Sequence, residues 1–292
     1  MIALRMIALV TAMTLQTSGP VTAPRTSVPQ TAPQTASQSA RSAKDQEIAE
    51  LKQRAGAGDA RAQVQLGLAY LTGAGVGADD AEAAKWFRKA ADQDDPDGER
   101  YLAEMYAGGR GVPADNAEAA KWLRLAAAQG DARAQHNLAV MYLQGMGIPK
   151  NTTEAAKWMR KAADQGLAEG QFGLGVIYAN GYGVYPDDAE AVKWYRAAAA
   201  QGYSDALNNL ASLLATSKQA GVRNTQEAIA VATKAVAAQN TPVYLDTLAT
   251  AYYQAAQYAK AVEAERKAVT LAPDNAAYKQ ALDQYMAAAD TH

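Results

Sequence analysis

Glu82-Ala-Ala-Lys-Trp86-Phe-Arg-Lys-Ala-Ala91 returns as Glu118-Ala-Ala-Lys-Trp122-Leu-Arg-Leu-Ala-Ala127, as Glu154-Ala-Ala-Lys-Trp158-Met-Arg-Lys-Ala-Ala163 and as Glu190-Ala-Val-Lys-Trp194-Tyr-Arg-Ala-Ala-Ala199. Every tryptophan of the chain stands in this one register, each 36 residues from the next. A second phrase ends upstream in Tyr70, Tyr106, Tyr142 or Tyr178. A fixed period of this length is the mark of an array of stacked supersecondary units.

Each unit reads as two helices. In the first, Ala62, Leu66, Ala69, Tyr70 and Gly73 follow the spacing of one helical face. A glycine loop ends it: Gly73-Ala-Gly75-Val76, Gly109-Arg-Gly111-Val112, Gly145-Met-Gly147-Ile148 or Gly181-Tyr-Gly183-Val184. Glycine supplies the left-handed residue that commonly terminates a helix, and Pro113, Pro149 and Pro186 then bar continuation. The second helix opens with Asp79, Asp115, Asn151 or Asp187, each with a Glu three residues on, which predicts a capping box. Ala83, Trp86 and Ala90 share a face, with the small residues admitting a neighbouring helix and the indole filling the gap.

These words resemble the Sel-1-like repeats (SLR), relatives of the tetratricopeptide repeat (TPR). Four units between Gly58 and Gln201 fit that pattern, and the second departs from it at Asp94-Asp-Pro96, where Gly-Asp-Ala would be expected. The resemblance implies an all-α fold, an α-solenoid in which antiparallel helix pairs stack as a right-handed superhelix. It also implies an adaptor or scaffold that binds proteins; no catalytic residue, metal or cofactor is expected.

Outside the four repeats (residues 58–202) the organisation changes. Residues 1–22 read as a signal peptide: Arg5 precedes an apolar run, Met6 to Leu15, too short to span a bilayer. Residues 23–44, rich in Thr, Ser, Pro, Gln and Ala, read as a disordered tether. Residues 45–57 should cap the first repeat. Residues 203–292 read as TPR-like repeats closed by a last helix carrying Tyr278, Leu282 and Tyr285 on one side. Glu265 departs from the TPR pattern by occupying a place that prefers an aromatic. Export to the bacterial periplasm is the expectation, with the cytoplasm as the alternative.

Composition narrows the function. A net charge of −2 over 292 residues argues against a general nucleic-acid binder. The absence of Cys and the presence of only His136 and His292 leave few sets of residues for metal binding or nucleophilic catalysis. The sequence predicts no membrane span, and a monomer or weak oligomer.

A residue identical in every unit is explained by packing, whereas one that varies is free to serve a partner. By that test the Trp, the Tyr and the Lys-Trp pairs are core. TPR-like solenoids present their first helices on the concave side, which implies three groove rows here. One is Val64, Arg100, His136, Phe172, Asn208 and Asp246; the second is Arg61, Asp97, Arg133, Glu169 and Asp205; the third is Leu68, Glu104, Val140, Val176 and Ser212. Phe172, read as exposed, is the expected anchor for a peptide or helix, although packing against Tyr178 or Tyr182 would account for it as well. An alternative is a glycan- or peptidoglycan-associated factor using Tyr182 and Tyr185. A further alternative, a β-lactam-hydrolysing enzyme, fits poorly, because that branch of the family is cysteine-rich.

Overall fold

The computed structural model describes residues 34–291, with side chains from residue 44. The signal-peptide reading and the tether as far as residue 33 lie outside the described residues. Among those described there are helices, turns and loops but no strands.

The described residues form fourteen helices in order: α1 (Gln34–Gly56), α2 (Ala60–Thr72), α3 (Asp80–Ala91), α4 (Pro96–Gly108), α5 (Asn116–Ala128), α6 (Ala132–Gln144), α7 (Thr152–Asp164), α8 (Ala168–Asn180), α9 (Asp188–Ala200), α10 (Ser204–Thr216), α11 (Thr225–Ala238), α12 (Pro242–Gln254), α13 (Tyr258–Leu271) and α14 (Ala276–Thr291). They form two compact units, one ending at Trp158 and one running from Met159. Within the first, consecutive helices from α1 to α6 pack in pairs, and α2 also touches α4. Within the second the same holds from α8 to α14, with α10 also touching α12. This is the all-α solenoid of stacked helix pairs.

α1 begins at Gln34, ahead of the cap expected at 45–57 and inside the stretch expected to be a disordered tether. Residues 34–43 contain no proline and hold three Ala and two Gln, which lose little in a helix. The end of α1 covers the first repeat: Leu51 and Ala55 pack with Ala62, Leu66 and Trp86.

Each first helix from α2 to α8 ends on a left-handed glycine, Gly73, Gly109, Gly145 or Gly181, with φ between 62° and 76°. The second glycine of the loop does a different job. A Cβ on Gly111 would lie 2.0 Å from the carbonyl oxygen of Asp80, and one on Gly147 would lie 2.1 Å from that of Asn116. Any side chain there would push the loop off the preceding repeat.

The expected capping box forms only by half. Asp79 accepts from the amides of Ala81 and Glu82, and Asp115 and Asp187 repeat this. The reciprocal Glu bond is absent, because the Asp79 amide already donates to the Tyr70 carbonyl at 2.9 Å, as Asp115 does to Tyr106. Glu82 instead pairs with Lys85, and Glu118, Glu154 and Glu190 pair with Lys121, Lys157 and Lys193. Those lysines are exposed, which corrects the expectation that the Lys-Trp pairs are core. They recur because each serves the helix surface of its own unit.

In the second unit, α12 to α14 bury Tyr244, Leu245, Leu248, Ala249, Ala261 and Ala268. Tyr278 and Tyr285 are buried and Leu282 half-buried, so the last helix closes this end with one face. Tyr285 lies 4.7 Å from the Tyr253 ring and shares a hydrogen bond with Thr250. Glu265, in the aromatic position of the TPR pattern, is fully buried.

Candidate functional site

The indoles lie between neighbouring helices. Trp122 and Trp194 are buried; Trp86 and Trp158 are half-buried against apolar clusters. In two of the repeats the arginine two residues after the tryptophan ties its repeat to the next. Arg88 donates to the Tyr106 hydroxyl and lies 5.1 Å from the Trp122 ring. Arg160 donates to the Tyr178 hydroxyl and lies 5.4 Å from the Trp194 ring. A guanidinium over an aromatic face is a favourable electrostatic contact, so the invariant Trp, Tyr and Arg are accounted for by packing.

The variable positions divide by burial. Of the groove candidates, Val64, Arg100, His136, Val140, Phe172, Val176, Asn208 and Asp246 are buried. The reading of these eight as a partner-facing wall is corrected: on short helices packed this tightly, their faces turn toward neighbouring helices. Phe172, 4% exposed, is enclosed by Tyr203 at 4.9 Å and Tyr195 at 5.9 Å between ring centroids. It is packed, by tyrosines other than the Tyr178 or Tyr182 considered from sequence. His136 is buried within α6.

Arg100 is the most constrained of the set. Its side chain is 4% exposed and bonds Asp97 at 2.6 Å, Glu104 at 3.2 Å and Asp131 at 3.2 Å, while its guanidinium lies 4.0 Å from the Tyr101 ring. Burial works against the charge, but Tyr101, Glu104 and Asp131 reverse that and hold its pKa above the usual value. Burial raises the Glu104 carboxyl, opposed by Arg100. Removing Arg100 would leave the Glu104 carboxylate, 10% exposed, without its counter-charge, so Arg100 joins α4 to α6 and is not offered to a ligand.

Accessible first-helix residues remain: Arg61, Gln65, Asp97 and Arg133 are exposed, and Tyr101, Glu104 and Glu169 half-buried. Asp97 is held by Arg100, whereas Arg61 and Arg133 form no ion pair among the described residues. In the second unit Asp205, which follows Glu169 in its row, accepts from the Tyr244 hydroxyl.

A polar position inside the first helices escaped the sequence reading. Gln63, Glu99 and Gln171 each meet a glutamine at the end of the second helix: Gln93 at 2.7 Å, Gln129 at 2.9 Å and Gln201 at 2.8 Å. Its signal was available, since residues 63, 99, 135 and 171 are Gln, Glu, Gln and Gln. Glu99 is 1% exposed, and burial pushes its carboxyl up to about 7 against the hydrogen bond from Gln129, with Asp94 and Asp95 adding to the rise.

The family model of the Sel1 repeat matches residues 60–95, 96–131, 132–167 and 168–203, the intervals that α2 to α9 occupy in pairs. The chain is a Sel1-like repeat protein. Among solved structures, this Sel1-like protein is similar to a Sel1 repeat protein from Oxalobacter formigenes at 29% identity and a TM-score of 0.65, over 73% of this chain and 88% of that one. It is also similar to c5321, a protective antigen present in uropathogenic Escherichia coli strains that displays an SLR fold. There the identity is 31% and the TM-score 0.53, over 77% of this chain and 56% of the antigen. YrrB, a TPR protein with an unusual peptide-binding site, shares the fold at 18% identity and a TM-score of 0.52, over 68% of this chain and 98% of YrrB. No protein of curated function matches the sequence.

No described helix is long and apolar enough to cross a membrane. Among the described residues no group of three or more His, Asp or Glu is placed to hold a metal ion.

Proposed function

We propose that this Sel1-like repeat protein is a non-enzymatic scaffold that docks a partner polypeptide on its first-helix faces. The observation that carries the reading is a contrast within the row Arg61, Asp97, Arg133, Glu169 and Asp205. It alternates in charge over the first four positions, yet none of its members is fully buried. Elsewhere the recurring tryptophans and alanines are used for packing, and so are the buried variable residues. Helical-repeat arrays commonly bind along such surfaces, where exposed charges orient a partner and set its specificity. In the first unit, the exposed Arg61, Gln65 and Arg133 would meet acidic or polar groups.

Crosslinking in cells followed by pull-down tests this, comparing wild type with an Arg61→Glu, Arg133→Glu double variant. A changed set of captured proteins is expected. If both baits recover the same set at the same yield, recognition lies elsewhere.

Export is part of the proposal and rests on residues 1–22. Mass spectrometry of the mature N-terminus checks it: a start beyond residue 15 supports secretion, and an intact Met1 in cells supports the cytoplasm.

A second reading is favoured by one feature. Tyr185 is 94% exposed in the loop before α9, with Tyr182 half-buried nearby in the sequence, so a phenol ring is offered to solvent without a packing role. Binding to peptidoglycan or an exopolysaccharide that is lost in Tyr182→Ala with Tyr185→Ala would favour a glycan-associated factor. Unchanged binding would remove that reading.

A further inference from the structure

An open cavity of about 210 Å³ lies between α9, α10 and the start of α11, lined by Ala189, Val192, Arg196, Leu214, Val222 and Glu227 among others. Its origin lies in the repeat. One unit earlier, Arg160 reaches the Tyr178 hydroxyl and lies over the Tyr178 and Trp194 rings at 5.3 and 5.4 Å. Arg196 is the counterpart of Arg160, and Leu214 stands where Tyr178 did. The Asn224 amide bonds the Leu214 carbonyl at 2.8 Å, as the Asp187 amide bonds that of Tyr178 at 3.0 Å. Registered on these two caps, Glu227 takes the place of Glu190, and Val231 that of Trp194. Both rings that would lie under the guanidinium are therefore gone, and Arg196 turns to Glu227 at 2.7 Å.

The carboxylate completes the likeness. Glu190 accepts the indole N–H of Trp194 at 3.1 Å, and its counterpart Glu227 lines the cavity. We propose that this cavity is a binding site for an indole group from outside the chain. Arg196 covers the ring face, Val192, Leu214 and Val222 wall its edges, and Glu227 accepts its N–H. A cation over an indole face is the strongest of the common cation–aromatic pairings. The volume lies below the range of about 300–1,000 Å³ that suits a drug-sized ligand, so it fits one aromatic group. All four tryptophans of this chain are already placed in the repeats. The proposal does not depend on docking at the first-helix faces, and its failure would leave that reading standing.

Ligand-observed saturation-transfer NMR on the full chain tests it, with N-acetyltryptophanamide standing for a tryptophan in a polypeptide and indole for a free small molecule. Saturable binding of either supports the site, and the tighter of the two identifies the source. Arg196→Ala, at an exposed side chain, should weaken binding about fivefold. Ala189→Phe, from an exposed position on the cavity wall, should abolish it. N-acetylphenylalaninamide, which has no ring N–H, should bind several-fold more weakly. The proposal is overturned by no saturable binding, by equal affinity for the phenylalanine probe, or by unchanged affinity in Arg196→Ala. The last comparison decides the matter if Ala189→Phe fails to fold.

Discussion

At the residue scale, the position after each tryptophan and a small residue on the first helix are matched in size. A Cβ on Gly67 would come 2.5 Å from the Phe87 ring, and one on Gly175 would come 2.6 Å from the Tyr195 ring. Where the residue after the tryptophan is Leu123 or Met159, the small residue is Ala103 or Ala139. Gly67→Ala should therefore destabilise the protein by about 1–3 kcal/mol through overpacking. Adding Phe87→Leu should recover part of that, since it recreates the Ala103–Leu123 combination; urea denaturation of the single and double variants measures the coupling. Glu99 gives a pH effect. Its folded pKa of about 7 lies above the ordinary 4.5, so the native state holds the extra proton between those values. Stability should fall as pH rises through that window and stay lower above it. Glu99→Gln, the residue found at 63, 135 and 171, should flatten this dependence and add about 2–3 kcal/mol at pH 8. Denaturation midpoints at pH 5 and pH 8 check it, and equal midpoint shifts at both would show that the carboxyl titrates normally.

At the scale of the element, the second helix is defined at its start by an aspartate cap and along its buried side by Ala, Trp and Ala. Trp122 on α5 is 8% exposed and belongs to the core of the first unit, with Arg88 reaching across from α3. Trp122→Ala should cost about 3–5 kcal/mol and lower the thermal midpoint without removing any one contact surface. An unchanged melt would refute its packing role. The second repeat shows how an element survives altered wording. Asp94 takes the left-handed conformation (φ 59°) that glycine has at 58, 130, 166 and 202, Asp95 caps α4, and Pro96 sits in its first turn. A proline fits there because the first amides of a helix have no internal partner. Asp94-Asp-Pro96 thus gives the same turn as Gly-Asp-Ala, at the cost of a strained aspartate.

At the scale of the whole molecule, burial sorts the groove residues into two sets with opposite expected phenotypes. Phe172→Ala should lower stability by about 3–5 kcal/mol, because two tyrosine rings close over it, and at temperatures where it stays folded it should capture the wild-type set of proteins. Arg61→Glu with Arg133→Glu should cost at most about 1 kcal/mol, through the field of Arg133 on Glu104, while changing what is captured. Thermal melts paired with the same pull-down separate these outcomes; a stable Phe172→Ala with an altered partner set would return that residue to the binding face.

The sequence by itself determined the repeat, the helix pairs, the glycine stops, the aspartate caps and the packing role of the indoles. All of these are local or periodic: a 36-residue period, a 3.6-residue face and a cap are written in neighbouring residues. The tertiary structure alone decided which variable positions reach solvent. Whether Phe172 or Arg100 is open depends on side chains distant in sequence, Tyr195 and Tyr203 for one and Asp131 for the other. The cavity beside Arg196 was hidden for the same reason. It lies beside an arginine whose counterpart one repeat earlier meets two rings, and the loss of those rings shows only when residues far apart in the chain are packed together.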